Sequence, residues 1–132
     1  MPHFALLPLK IVALLVAFAT TVAAQDFPAK PIRMIIPFPP GGGSDVAGRV
    51  VATALSERLG KQVIVDNRAG AGGVIGSELA ANAPKDGYTL LMVSLAHTVN
   101  PWLYDLKGRY DPIKSFVPVA IIATGVNDLI GS

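Results

Sequence analysis

Three stretches carry the residue types from which a site can be built: Pro37 to Asp45, Asp66 to Gly73, and Ser94 to Asn100. Gly41, Gly42 and Gly43 lack a Cβ, so the backbone there can turn sharply and leave its N–H groups open to a ligand. Ser44 or Gly43 is placed to cap a following helix, with Asp45 in the first turn. A helix start at the carboxyl end of a parallel strand favours an anion, because unpaired N–H groups and the helix dipole both present positive charge. Gly72 and Gly73 offer the same bare backbone in the second stretch, and Ser94, His97 and Thr98 add side-chain donors in the third. The plainer alternative is that the glycines serve only tight turns and that His97 is an ordinary loop histidine.

Other chemistries are tested and mostly fail. Gly43-Ser44-Asp45-Val46-Ala47-Gly48-Arg49-Val50 has the glycine spacing of a phosphate-binding P-loop, but Arg49 and Val50 stand where Lys and Ser/Thr are needed. Without the Mg²⁺-binding hydroxyl, nucleotide hydrolysis is not expected. Gly70-Ala71-Gly72-Gly73-Val74-Ile75-Gly76 puts three residues, not two, between the second and third glycines of the dinucleotide fingerprint. A serine hydrolase using Ser94 or Ser44 would have to rely on His97, the only histidine beyond residue 24, and the chain has no Gly-x-Ser-x-Gly elbow. That hydrolase is the competing expectation.

The elements that must hold these stretches follow from periodicity. Ile32-Arg33-Met34-Ile35-Ile36 is a nearly all-apolar run, the pattern of a strand covered on both faces, and Pro37, Pro39 and Pro40 end it. From Asp45 to Leu59 the pairs Val46/Ala47, Val50/Val51 and Ala54/Leu55, then Leu59, predict a helix with one apolar stripe and with Arg49, Glu57 and Arg58 outside. Gly60 ends it. Val63 to Val65 reads as a second strand, Val74 to Ala83 as a helix with Ile75, Leu79 and Ala83 in line, and Tyr88 to Val93 as a third strand. Asn100 to Tyr104 predicts a short helical turn packed by Trp102, and Val117 to Ala123 a fourth strand. Strands alternating with helices imply an α/β fold: an open, mostly parallel sheet with helices on both faces. In such a sheet all three stretches leave the same strand ends, where ligands sit.

Bulk properties set the compartment. Of 132 residues, 52% are hydrophobic, but this is concentrated at the start. Lys10, an apolar centre and a small-residue end at Val22-Ala23-Ala24 are the parts of a secretory leader, with cleavage expected after Ala24 and residues 25–132 forming the mature chain. Removing Lys10 leaves ten basic residues against nine acidic ones. They are scattered singly, so no nucleic-acid partner is expected. The chain has no cysteine, which excludes disulfides and thiolate metal sites. Neither a metal nor a cofactor is expected.

The stretches Pro37 to Asp45, Asp66-Asn67-Arg68-Ala69-Gly70-Ala71-Gly72-Gly73-Val74-Ile75-Gly76, Asp86-Gly87-Tyr88-Thr89-Leu90-Leu91, Asn100-Pro101 and Tyr110-Asp111-Pro112 recur in order in a known family. From Phe27 onward the chain resembles the extracytoplasmic solute-binding receptors of tripartite tricarboxylate transporters, often called Bug receptors. The resemblance implies a type II periplasmic-binding-protein fold, with two α/β domains closing on a small carboxylate and delivering it to paired membrane subunits. By position it implies that Gly42, Gly43, Ser44 and Asp45, with Gly72 and Gly73, hold the carboxylate through backbone N–H groups and water, with Ser94, His97 and Thr98 on the third loop. Ala69 departs from the proline more usual in these receptors, and Leu95-Ala96 from a smaller, more polar pair. The chain stops soon after Asp128-Leu129-Ile130 with no polar tail, which predicts a fragment holding part of the first domain.

Overall fold

A computed structural model describes residues 26–124. Its three strands are β1 (Ile32–Ile36), β2 (Val63–Asn67) and β3 (Thr89–Leu91), in the order β2-β1-β3, with both neighbours parallel to β1. The helices are α1 (Gly43–Leu59), α2 (Val74–Ala81), entered through a short 3₁₀ turn (Ala71–Gly73), and α3 (Ala96–Leu103). Registers Ile32↔Val63 and Ile36↔Asn67 on one side, and Arg33↔Thr89 and Ile35↔Leu91 on the other, bring the three strands into step. The expected parallel α/β sheet with helices on both faces is what forms. The leader expected over residues 1–24 lies outside the described residues.

Alternation along β1 divides the core. Ile32, Met34 and Ile36 join Ala52 and Val63 in one buried cluster, completed by Val51, Leu55 and Leu59 of α1. Ile35, fully buried on the other face, looks toward the side covered by α2. A second small cluster joins Val74 of α2 to Leu106 and Tyr110.

Helix α1 turns only half of the expected stripe inward, since Val51, Leu55 and Leu59 pack on the core, and α2 turns a different face inward from the one that periodicity selects. Val46 and Val50 of α1 are exposed, and the buried positions are Asp45, Gly48 and Ala52. The cause is close approach: a Cβ on Gly48 would lie 2.4 Å from Ile36 Cδ1 and 2.9 Å from Met92 Sδ. In α2, Val74, Gly76 and Ser77 are buried while Ile75 and Leu79 are exposed. A Cβ on Gly76 would lie 2.7 Å from Pro37 Cβ and 2.8 Å from the Arg68 carbonyl oxygen. Small residues set the line of closest approach, and Val46, Val50, Ile75 and Leu79 are left outside.

Three further expectations are corrected. The cap of α1 is Gly42, not Gly43 or Ser44 as expected, and it makes no side-chain cap hydrogen bond. Helix α3 begins at Ala96 and not Asn100, and Trp102 is 87% exposed. The reason is helical geometry: Asn100 is the buried residue of α3, and two positions further on the side chain points about 200° away. Val117 to Ala123 forms no strand among the described residues, because no neighbouring strand offers it a ladder.

Candidate functional site

Because the strands are parallel, their carboxyl ends lie at one edge of the sheet, and the three chemistry-bearing stretches leave from there. Between them is a shallow, tightly packed crevice lined by Pro37 and Phe38 after β1, Gly72 and Gly73 before α2, Ser77 on α2, and Val93, Ser94, His97 and Asn100 after β3. Of the residues expected from sequence, Gly72, Gly73, Ser94 and His97 line this crevice. Gly42, Gly43, Ser44, Asp45 and Thr98 do not.

The first loop presents bare backbone. Gly41 has φ +83°, a left-handed conformation suited to glycine, and turns the chain into α1. The Gly42 carbonyl accepts from Asp45 N at 2.9 Å and Val46 N at 3.0 Å. Among the described residues no acceptor meets the N–H of Gly42, Gly43 or Ser44. Gly42 and Gly43 are exposed. Three free donors at a helix start are a place where an anion is stabilised.

Asp45 faces inward, not toward a ligand. It is only 4% exposed; its Oδ2 accepts from Gly41 N at 2.9 Å and Arg49 Nε at 3.0 Å, and its Oδ1 accepts from Asn67 Nδ2 at 2.9 Å. The Arg49 hydrogen bond, followed by those from Gly41 and Asn67, lowers the carboxyl from an ordinary 3.8 to about 2. Nearby, burial pushes Asp66 up, but the guanidinium groups of Arg33 and Arg68 outweigh it and hold Asp66 below its usual range.

His97 ties the third stretch to α2 and to the segment around Pro112. Nε2 is 3.0 Å from the Pro112 carbonyl oxygen, which can only accept, so Nε2 carries a hydrogen. In the neutral ring Nδ1 then accepts from Ser77 Oγ at 3.4 Å. The ring also stacks on Tyr110, with centroids 6.0 Å apart, and meets Phe116 edge-on at 5.2 Å. Neither ring nitrogen faces Ser94 or Ser44. Ser94 Oγ accepts from Ala96 N at 3.3 Å, and Thr98 Oγ1 donates to the Leu95 carbonyl at 2.8 Å, so both hydroxyls serve the start of α3.

Three residues that sequence reasoning did not select hold the site together. Asn100, 2% exposed, donates from Nδ2 to the Gly72 carbonyl at 3.1 Å and so ties α3 to the second loop. Ser77, 1% exposed, seats His97. Asn67 bonds Phe38, Asp45 and Arg49. Asn100-Pro101 was visible as a pair in the sequence; nothing in composition or spacing marks Ser77 or Asn67.

Comparison with known proteins gives a consistent result. Residues 47–131 match the family described as tripartite tricarboxylate transporter family receptor. Protein BugT of Bordetella pertussis is 46% identical over 105 residues, 79% of this chain and 32% of that protein. The structure of periplasmic binding protein BugD is 39% identical with a TM-score of 0.65, covering 68% of this chain and 30% of that one. MatC from Rhodopseudomonas palustris with bound malate is 32% identical with a TM-score of 0.67, covering 73% and 33% respectively. The chain thus spans about a third of the length of the relatives it matches.

Proposed function

Since the chain belongs to the tripartite tricarboxylate transporter receptor family, we propose that it is the first-lobe part of an extracytoplasmic solute-binding receptor that captures a small organic acid for the membrane subunits of such a transporter. Export to the periplasm, with cleavage after Ala24, is part of the same reading. The observation that carries it is the meeting of three loops at one sheet edge, with the N–H groups of Gly42, Gly43 and Ser44 meeting no acceptor among the described residues at the start of α1. The malate held by MatC supports a carboxylate as the ligand class. Gly42, Gly43 and Ser44 act as donors, and Asp45 holds their turn. Gly72, Gly73, Ser94 and His97 shape the crevice wall, and Thr98 supports it by holding the start of α3.

Magnitudes favour weak binding by this chain taken alone. A helix start favours an anion by about 0.3–1 kcal/mol, and each hydrogen bond to a charged group adds about 1.5–3 kcal/mol. These terms grow when water is excluded. A shallow crevice open to solvent does not exclude it. Isotope-labelled chain titrated with succinate, malate and citrate is expected to show millimolar shifts of the Gly42, Gly43 and Ser44 amides and no calorimetric heat at micromolar concentration. Micromolar affinity would refute the half-site, and undisturbed amides at those positions would refute the site.

A further inference from the structure

We propose that Asn67 is a positioning residue that, with Asp45 and Arg49, fixes the Pro37–Ser44 turn so that its free N–H groups remain turned to the anion. The proposal rests on the receptor reading above and adds to it the device that keeps the site shaped in the absence of ligand.

The turn needs such a device. Three consecutive glycines lose more conformational freedom on ordering than any other residues would. Pro39 and Pro40 have no N–H with which to tie the loop down. Among the described residues, the segment from Pro37 to Gly41 makes two hydrogen bonds, and both go to side chains: Asn67 Nδ2 donates to the Phe38 carbonyl at 3.1 Å, and Gly41 N donates to Asp45 Oδ2 at 2.9 Å.

Asn67 is suited to the task because the sheet sets its own position. It is the last residue of β2 and pairs in register with Ile36, the last residue of β1. From there its amide makes every contact it can aim inward. Nδ2 donates to Phe38 and, at 2.9 Å, to Asp45 Oδ1, while Oδ1 accepts from Arg49 Nη2 at 3.2 Å. Two acceptors on one side and a guanidinium on the other fix the orientation of the amide by chemistry alone. Arg49 closes the ring by donating from Nε to Asp45. The loop is therefore referenced to a strand end and a helix turn together.

The test uses the labelled 132-residue chain and Asn67→Ala. Amide exchange at Gly41 is expected to accelerate at least tenfold and the Asp45 carboxyl to titrate higher, while Ile35 and Leu90 in the sheet keep their protection. Succinate affinity, read at Gly42, Gly43 and Ser44, is expected to fall at least tenfold. A general loss of stability would instead release the sheet amides with the loop, and that outcome overturns the proposal. So would unchanged Gly41 exchange and an unchanged Asp45 titration. Arg49→Ala removes a half-exposed member of the same ring and is the second variant should Asn67→Ala not fold; it too is expected to loosen Gly41, and no change there is again contrary. If succinate moves none of the three amides in the unsubstituted chain while Asn67→Ala still frees Gly41, the clamp stands and the receptor reading falls.

Discussion

Asp45 and Gly76 show how much a single position depends on what surrounds it. A carboxylate in the first turn of a helix beside a glycine loop reads as part of a binding surface. In the folded chain it is buried in the turn's own hydrogen bonds, with its pKa at about 2. A folded pKa below the unfolded one gives stabilisation that is complete above the unfolded value and is lost as pH falls through the folded one. Asp66, Asp86 and Asp111 are also lowered, so a pH scan of the chain alone mixes several carboxylates. The expected result is that the stability gap between the chain and Asp45→Asn is constant near neutrality and narrows between pH about 4 and about 2, as followed by urea unfolding at each pH. Gly76 makes the opposite point, since its lack of a side chain is the whole contribution. Alanine there gains about 1 kcal/mol of helix propensity but drives a methyl group against the Arg68 backbone oxygen, which cannot step aside. Overpacking of that kind costs about 1–3 kcal/mol, so Gly76→Ala is expected to destabilise, measured as a lower urea midpoint at unchanged slope.

At the scale of elements, α2 contradicts the rule that the widest apolar stripe faces the core, and α1 obeys it only in part, with Val51, Leu55 and Leu59 inward but Val46 and Val50 outside. Helix α1 lays Gly48 and Ala52, one turn apart, against β1, and Ser56 continues the line by accepting from Val63 N at 2.8 Å. Two consequences can be measured. Replacing Val46 and Val50 together by Gln is expected to change stability by no more than about 0.5 kcal/mol per site, the range of ordinary surface positions. Gly48→Ala is expected to cost less than Gly76→Ala, because the atoms it meets are side-chain atoms of Ile36 and Met92 and not backbone. Thermal melts of the three variants side by side would decide the matter; a double Gln variant that melts far below the others would restore the valine stripe as the packing face.

At the scale of the whole molecule, apolar surface remains uncovered among the described residues. Val117, Val119 and Ile121 are 83–87% exposed in a segment without regular structure, and Trp102 and Ile113 add to the total. Uncharged β-branched segments with no strand partner associate with one another. The chain is therefore expected to self-associate as its concentration rises, and Val119→Lys with Ile121→Lys to reduce this, as read by sedimentation velocity. Monodisperse behaviour of the unsubstituted chain at high concentration would contradict it.

The sequence by itself determined the element order, the parallel sheet, the breaks at Pro37 and Gly60 and the three loops that gather at one edge. These features depend on local chemistry: the missing N–H of proline, the freedom of glycine and the spacing of apolar residues along a strand. Only the tertiary structure decided which faces of α1 and α2 point inward, that Val117 to Ala123 stays unpaired, that His97 binds Ser77 and Pro112 and not Ser94 or Ser44, and that Asn67 and Asn100 tie the loops. Each of those outcomes depends on how closely two distant segments can approach, which small residues permit and large ones prevent. Periodicity along one segment carries no record of the atoms it will meet.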